Sequence, residues 1–444
     1  ISSLEELTEF ICDYSRSKNV PTLLGFGNTP SLSDSSIYVL ECGADGFILQ
    51  DPAEYQKKSI AGVLLDKSYR KIAVEMLTRL GYSPKEANGM FNDVLAFEKL
   101  LAEVCLTIEE WNSPDVYSMI NNEFSLEEAD ELATNYPLAE SVKGAGYGNA
   151  KTLLIDEPEY IKRLGEVYAE ENLDAIKNYM ILKYVLGEVT YLDQQAFELY
   201  LEATKALSGS SGRLSDEKYA YHFVLSALCD PLENCYLKKH DATETKAQVE
   251  ELCYQVRDYY RQMLEETDWL SKETVAEAIK KLDKITVNVA YPEKRIDYSG
   301  LNLNGLFYRD CLDAIIDFNH QLDVEKTNQP VEEGYWIMST LECNAYYNPQ
   351  ENSINILLGI LGGNFYNDDM PTEEVYAGIG SVIGHEISHA FDTNGAQFDE
   401  NGDFRDWWAD EDYDTFQARA QKLIDYFDSI RVCGIIKANG ALFQ

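Results

Sequence analysis

Residues 382–392 read VIGHEISHAFD and contain two of the chain's five histidines. In an α-helix, side chains four positions apart lie on one face, so the imidazoles of His385 and His389 can reach a single Zn²⁺. Glu386 would then lie beside the metal, where its carboxylate can take a proton from a zinc-bound water. The alternative is a chance HExxH motif carried by structural histidines, and the neighbouring sequence has to distinguish the two.

The residues before the motif favour a helix. Thr372, which follows Pro371, offers an N-cap, and Glu373 and Glu374 suit the positive end of the helix dipole. Apolar residues then recur at helical spacing at Val375, Ile379, Val382, Ile383 and Ile387. We therefore expect one amphipathic helix to carry both histidines.

An edge strand is predicted upstream of this helix. Residues 343–347, CNAYY, are followed by the turn-forming NPQEN and by an apolar run over 353–358. A peptidase with an HExxH helix normally binds its substrate as an added strand on such an edge. In that setting Asn344 is a candidate for holding a substrate carbonyl, whereas on its own it would be a strand-end residue.

The charge balance excludes several classes of partner. The 444 residues include 37 Lys+Arg and 77 Asp+Glu, which gives a formal net charge of −40. Nucleic acids and anionic membrane surfaces both attract basic patches, so neither is expected as a partner. The longest apolar stretch, residues 354–361, is too short to cross a bilayer, so no membrane span is expected in this chain.

Two other features carry no chemistry. Residues 144–152, GAGYGNAKT, suggest a phosphate-binding loop, but Asn149 and Ala150 stand where such motifs need glycine, which favours a linker. Nine cysteines without a CxxC pair or a regular framework leave the redox compartment open.

The hydrophobic pattern predicts a mainly α fold with a small β portion. It is helical over most of residues 2–285, apart from a short β-hairpin near residues 20–42. Long amphipathic segments are predicted at 70–80, 83–106, 173–192, 247–266 and 271–285. The helical period is lost over 287–304, so we expect a helical lobe at 1–290 and a second lobe at 291–444.

Taken together, these blocks resemble the neprilysin-like zinc metallopeptidases, the M13 family of gluzincins. The matching blocks are NAYYNP (344–349), GIL (359–361), VIGHEISHAFD (382–392), NG (394–395) and FD (398–399), in the family's order. Further likeness covers residues 23–40 and 268–292, and it is weakest between residues 53 and 265.

The resemblance implies a two-lobed zinc endopeptidase that binds one Zn²⁺ per chain. A partial thermolysin-like catalytic lobe would face a larger helical lobe across an internal cavity, which limits substrates to oligopeptides. Cleavage is expected on the amino side of large hydrophobic residues. The resemblance favours an extracytoplasmic location, secreted or anchored by a preceding segment, and leaves a cytoplasmic location open.

The family's functional positions carry over residue by residue. His385 and His389 would be zinc ligands, and Glu386 the general base. Asn344 and Ala345 would bind the substrate backbone. The pocket for the side chain after the cleaved bond would be lined by Ile360, Phe365 and Val382.

Helix geometry adds an argument for two positions. Val382 lies three residues before His385, which places it beside the metal face. Asp392 lies one turn after His389 and could orient that imidazole through a hydrogen bond, but it could equally cap the end of the helix.

The sequence departs from the family in two places. Residues 362–364, GGN, stand where the family commonly has Pro-Pro before the aromatic pair, so the pocket rim is expected to be looser. The family's third zinc ligand is a Glu in an ENxAD-type motif, and residues 438–444 resemble the segment just before it. We therefore expect that ligand beyond Gln444, a chain shortened at both ends and inactive alone, and a separate C-terminal segment of the same protein as a candidate partner.

Two other functions stay open. The chain could be a thermolysin-spaced peptidase whose third ligand, such as Glu411, lies within it, or a catalytically silent peptide-binding module. A metzincin is excluded, because Asp392 and Gly395 stand where that motif needs glycine and histidine.

Overall fold

The computed structural model describes residues 1–209, 214–332, 334, 336–432 and 436–442. Its contacts divide the chain into two compact units. Unit 1 comprises residues 1–29, 38–213 and 306–329, and unit 2 comprises residues 30–37, 214–305 and 330–444. The boundary predicted at residue 290 marks the loss of the helical period, whereas compact packing groups residues 214–290 with unit 2, where the helix Thr243–Glu265 contacts the strand Thr286–Ala290.

Unit 1 is built mainly of helices. The first of them are α1 (Leu4–Ile11), α2 (Tyr14–Ser17), α3 (Ala53–Gln56), α4 (Ile60–Arg79), α5 (Pro84–Ala102), α6 (Ile108–Trp111), α7 (Val116–Ile120), α8 (Leu126–Ala133), α9 (Leu138–Gly144), α10 (Pro158–Val167), α11 (Leu173–Leu192) and α12 (Gln194–Ser208). The helix predicted at 173–192 is α11, residue for residue. The helix predicted at 70–80 begins earlier, because Ser59 caps α4 by accepting from the Gly62 amide.

The β-hairpin predicted near residues 20–42 forms half of a larger sheet. Its strands are β1 (Leu24–Pro30), β2 (Tyr38–Ala44), β3 (Glu123–Phe124) and β4 (Leu153–Ile155), in the order β1-β2-β4-β3. β4 runs parallel to β2, with Leu40 opposite Leu153, and antiparallel to β3. Long-range pairing of this kind leaves no local signal in the sequence.

Unit 2 carries α13 (Asp216–Ala227), α14 (Cys229–Leu237), α15 (Thr243–Glu265) and α16 (Lys272–Asp283) before its sheet. That sheet consists of β5 (Thr286–Ala290), β6 (Ala345–Asn348) and β7 (Ser353–Leu357) in the order β5-β7-β6. β5 is parallel to β7 and β6 is antiparallel to it, with Ala345 opposite Ile356. The segment predicted as an edge strand is therefore β6, at the edge of this sheet.

One helix returns to unit 1 late in the chain. α17 (Tyr308–Lys326) is held there by polar contacts rather than by a wide apolar face, since only Ile315 of its side chains is buried. Arg309 pairs with Glu188 at 2.8 Å, and Lys18 pairs with Asp317 at 2.6 Å.

The remaining elements belong to unit 2. They are α18 (Thr372–Val375), α19 (Ser381–Ser388), α20 (Asp410–Asp428), β8 (Arg431–Val432) and β9 (Ile436–Lys437). No helix in the described part of the chain is long and apolar enough to span a membrane. The mainly α fold with a small β portion is confirmed.

Candidate metal centre and active site

The HExxH residues lie on a single helical segment that runs from Thr372 to Phe391. It consists of α18, a π-helical turn at Tyr376–Gly380, α19 and a 3₁₀ turn at His389–Phe391. Pro371, rather than Thr372, occupies the N-cap position. Along the predicted apolar stripe, Ile379, Ile383 and Ile387 are fully buried, and Val375 and Val382 pack partly buried against the same core.

Burial of this stripe turns the two histidines away from the core. His385 is exposed and His389 is half-buried, and their Nε2 atoms face each other at 3.1 Å. A tetrahedral zinc with bonds of roughly 2.0–2.1 Å would hold two nitrogens about 3.3 Å apart. The separation of the two nitrogens is therefore close to that of two imidazole ligands on one zinc ion.

Asp392 lies directly behind His389. Its Oδ2 accepts from His389 Nδ1 at 2.6 Å, while its Oδ1 accepts from the amides of Asn394 at 2.9 Å and Gly395 at 2.7 Å. The hydrogen bond to Asp392 raises the pKa of His389. With the proton held on Nδ1, the lone pair of Nε2 is directed toward a metal, so Asp392 both orients the ring and closes the turn after the helix.

Glu386 is buried beside the histidines, with 5% of its surface exposed. Burial raises the pKa of its carboxyl, opposed by the charges of His389 and His385 and by a hydrogen bond from the Tyr347 backbone. A carboxylate with a raised pKa is a better proton acceptor near neutral pH. The contact with Tyr347 also places Glu386 against β6.

The edge strand presents its predicted residues as follows. The Asn344 side chain is exposed and its Oδ1 accepts from the Ala345 amide at 2.9 Å, whereas Ala345 is buried. The Asn344 carbonyl accepts from the Leu357 amide at 3.3 Å, which attaches this residue to β7. Asn344 thus adjoins the outer edge of the sheet, and its side chain is turned onto its own backbone.

The three predicted pocket residues differ in exposure. Ile360 lies in the 3₁₀ turn after β7 and is 5% exposed, whereas Phe365 is 39% exposed. The Phe365 carbonyl accepts from the Ile379 amide at 2.8 Å, which fastens the loop to the π turn of the HExxH helix. Ile360 and Val382 both contact the core around that helix.

The described residues contain no group of three or more His, Cys, Asp or Glu side chains arranged to hold a metal, and Glu411 on α20 is in none. The nearby Asp399 is engaged otherwise, since its Oδ1 accepts from the Asn401 amide at 2.8 Å and its Oδ2 lies 3.5 Å from Arg405. Residues 443 and 444, at the end of the segment likened to the family's third-ligand region, lie outside the described residues.

Two residues that the sequence analysis did not single out contact the HExxH segment. The Tyr260 hydroxyl on α15 donates to the Gly384 carbonyl at 2.7 Å, one residue before His385. Lys281 on α16 is buried and donates to backbone carbonyls after the helix. Its sequence signal is a lysine beside Ala278 and Leu282 on the apolar face of α16.

Comparison with known proteins identifies the family of this chain. Residues 1–292 match one model of peptidase family M13, and residues 344–444 match a second. The neutral endopeptidase of Lactobacillus helveticus is 32% identical over 413 residues, which cover 92% of this chain and 63% of that protein. Endothelin-converting enzyme-like 1 of Homo sapiens is 26% identical over 424 residues, covering 92% of this chain and 54% of that protein.

Solved structures share the fold. PepO from Lactobacillus rhamnosis HN001 superposes with a TM-score of 0.90 at 24% identity, covering 99% of this chain and 70% of that one. The zinc metalloprotease ZMP1 of Mycobacterium tuberculosis, solved with an inhibitor, gives 0.87 at 24% identity, covering 99% and 69%. The chain thus spans only part of the length of each relative. On the two family models and the extent of their match, this chain belongs to peptidase family M13.

Proposed function

We propose that this chain carries the catalytic helix of a zinc-dependent endopeptidase that hydrolyses short peptides. The observation that carries the proposal is the pair of imidazole nitrogens 3.1 Å apart, with Asp392 behind one ring and Glu386 buried beside it. The names of the relatives, a neutral endopeptidase and a zinc metalloprotease, support the same activity. Zinc, when bound, would polarise the peptide carbonyl and acidify a water.

The chain's own residues would then move the proton. Glu386 accepts a proton from the attacking water and later delivers it to the amine of the departing peptide. His385 and His389 hold the metal through Nε2, and Asp392 keeps the His389 ring in the required tautomer. The role of Glu386 depends on its position on the helix, where its carboxylate contacts the Tyr347 backbone of β6.

The edge strand would bind the peptide in extended form. Among the residues that the structure describes, β6 pairs with β7 on one side only, so its other side can take a peptide as an added strand. Asn344 and Ala345 would contact the peptide backbone next to the cleaved bond. Ile360, Phe365 and Val382 would receive a large hydrophobic side chain just after that bond, and a peptide library cleaved before charged residues instead would contradict this pocket.

For the third zinc ligand we retain the glutamate expected beyond Gln444. Two imidazoles alone leave a catalytic zinc site one protein ligand short. Residues 1–444 by themselves should then bind zinc weakly and cleave peptides poorly. Tight binding of one zinc by exactly this segment, with full activity and an intact mass showing no second piece, would favour the thermolysin-spaced alternative.

The proposal is tested by two substitutions in the full-length protein. Glu386→Gln should keep zinc and lose turnover, because an amide cannot accept the proton. His385→Ala should lose the zinc. Zinc content by mass spectrometry and cleavage of a quenched fluorescent peptide measure both, and Glu386→Gln with near wild-type cleavage would refute the role of Glu386. If the wild type binds peptides but cleaves none, the catalytically silent module is the correct interpretation.

A further inference from the structure

Lys281 is a fully enclosed lysine next to the catalytic segment. Only 1% of its surface is exposed, and its Nζ donates to the carbonyls of Ala390 at 2.9 Å, Gly395 at 2.6 Å and Phe398 at 2.7 Å. An ammonium carries three protons, and here each one has an acceptor. Lysine is almost never buried without such partners, so this position is a specific arrangement rather than a solvated charge.

The three carbonyls bracket the residue that orients His389. Ala390 directly follows His389 in the chain, and Gly395 donates its amide to Asp392 Oδ1 at 2.7 Å. Lys281 therefore fixes the backbone on both sides of Asp392. A shift of either carbonyl would move the Asp392 carboxylate relative to the His389 ring, which it contacts at 2.6 Å.

Aromatic rings close the site around the ammonium. Those of Tyr347, Phe391 and Trp407 lie 5.9, 6.0 and 5.9 Å from Nζ. Cation–π attraction strengthens when water is excluded, so the rings compensate part of the cost of burial. Burial lowers the pKa of Lys281 to about 7, and the charges of Asp392 and Asp399 oppose that shift and favour the ammonium form.

The backbone of the same lysine also contacts the turn of the edge strand. Asn352 Nδ2 donates to the Lys281 carbonyl at 3.0 Å, and Asn352 Oδ1 accepts from the Tyr347 hydroxyl at 2.9 Å. Tyr347 belongs to β6, the strand proposed to bind peptide. One residue of α16 thus contacts both the segment that orients His389 and the strand beside Glu386.

We propose that Lys281 is a positioning residue of this site, which sets the orientation of His389 toward the metal by fixing the backbone on both sides of Asp392. The inference rests on the proposed zinc site. It adds that part of the zinc affinity depends on a residue of α16, which lies outside the HExxH segment.

The experiment compares Lys281→Met with Lys272→Met in the full-length protein. Methionine is unbranched like lysine and ends one atom short of the ammonium, so it suits an apolar enclosure but donates to none of the three carbonyls. Lys272 is an exposed lysine at the start of the same helix, so its replacement controls for the loss of one charge. Zinc affinity is measured by competition with a chelator, and ligand geometry by the visible spectrum of the cobalt-substituted protein.

We expect Lys281→Met to weaken zinc binding by up to about 10-fold, at or below the 10- to 100-fold effect of losing a direct partner of a metal ligand, and to alter the cobalt spectrum. Lys272→Met should behave as the wild type. Because Lys281 acts through Asp392, combining Lys281→Met with Asp392→Asn should weaken zinc binding by less than the product of the two single effects.

Three outcomes would overturn the inference. One is a Lys281→Met protein with a lower melting temperature but wild-type zinc affinity and cobalt spectrum, which would make the lysine merely structural. Another is a double variant, Lys281→Met with Asp392→Asn, whose loss of zinc affinity equals the product of the two single losses. If Lys281→Met does not fold, Lys281→Arg decides, because a planar guanidinium keeps the charge but cannot place three N–H groups on the same carbonyls, and an unchanged cobalt spectrum would then refute the role. A wild type that binds no zinc would instead refute the proposed function itself.

Discussion

Asp392 uses its two carboxylate oxygens for different tasks, and this division limits what can replace it. Oδ2 accepts from His389, and Oδ1 accepts from the amides of Asn394 and Gly395. A carboxylate can accept on both sides, whereas an amide side chain has one accepting oxygen and one donating nitrogen.

Asp392→Asn should therefore lose either the hydrogen bond to His389 or those to the amides of Asn394 and Gly395. Its amide nitrogen must face either His389 Nδ1–H or the two backbone amides, and donors would then oppose donors. We expect zinc affinity to fall about 10- to 100-fold, with cleavage falling in parallel at limiting zinc. Chelator competition measures the change, and wild-type affinity would show that the hydrogen bond to His389 does not matter.

Glu98 in unit 1 predicts a pH dependence of folding stability. It is fully buried, accepts from the Ile48 amide at 3.2 Å and from the Tyr55 hydroxyl, and lies 4.0 Å from Lys183. Burial raises its pKa from 4.5 to about 7. The folded protein therefore holds more protons than the unfolded chain between these two values, so its free energy of unfolding should fall as pH rises through that window.

Glu98→Gln removes this titration. Its free energy of unfolding relative to the wild type should rise between pH 4.5 and 7, by on the order of 3 kcal/mol, and then stay level. Urea unfolding of both proteins at matched pH values measures the difference, which also cancels the effect of the large net charge. Parallel stability curves would mean that Glu98 is not protonated in the folded state.

At the residue scale, the sequence predicted the HExxH motif but not the buried lysine that contacts the backbone after it. His385, Glu386 and His389 are identified by spacing along one helix, and spacing also brings Asp392 within one turn. Lys281 lies 104 or more positions away in the chain from this motif, and its role depends on tertiary contacts that no local pattern reports.

At the element scale, the HExxH helix contains a π turn where a neighbouring loop approaches closely. A Cβ placed on Gly378 would lie 2.4 Å from the Phe365 carbonyl oxygen, a contact that no real side chain makes. The same carbonyl accepts from the Ile379 amide, so the loop is bonded to the turn. Glycine at position 378 is therefore required by close approach rather than by its backbone angles.

Gly378→Ala should separate the loop from the helix. We expect a loss of about 1–3 kcal/mol in the free energy of unfolding of unit 2, the usual cost of overpacking. Gly384→Ala is the matched control, because it lies on the same helical segment and a Cβ placed there would have no atom within 4 Å, so it should be neutral or stabilising. Equal melting temperatures for the two variants would contradict the close approach.

The elements of the site were largely predictable and their pairings were not. Periodicity and turn residues predicted the helix and the edge strand, because both are local signals. The π turn is bonded to the Phe365 carbonyl of a separate loop, and the parallel pairing of β5 with β7 joins residues far apart in sequence. Neither arrangement has a local sequence signature.

At the scale of the whole molecule, the net charge of −40 should influence which peptides arrive fastest. Acidic surfaces attract cationic peptides over long distances, and dissolved salt screens that attraction. We expect kcat/KM for a lysine-rich peptide to fall several-fold between low and physiological salt, while that of an isosteric neutral peptide changes little. Identical salt dependence for both peptides would rule out steering by the protein's charge.

The division into two units was only partly predictable. A mainly α chain with two regions follows from periodicity and composition. The return of α17 to unit 1 does not, because it depends on charged pairs such as Arg309 with Glu188 and Lys18 with Asp317. Charges at these positions resemble those of any solvated helix, so the sequence alone placed residues 306–329 in the second lobe.

The late return of α17 has a consequence for synthesis on the ribosome. Unit 1 lacks its last helix until Gln329 has been made, although the rest of the unit is complete by Arg213. At about 5–20 residues per second, translation of the intervening segment takes on the order of 10 s. During that interval Glu188 and Lys18 lack their partners on α17, and the nascent unit is exposed to chaperones and proteases. Unit 1 of the nascent chain should therefore become resistant to proteases only after residues 306–329 have emerged from the ribosome.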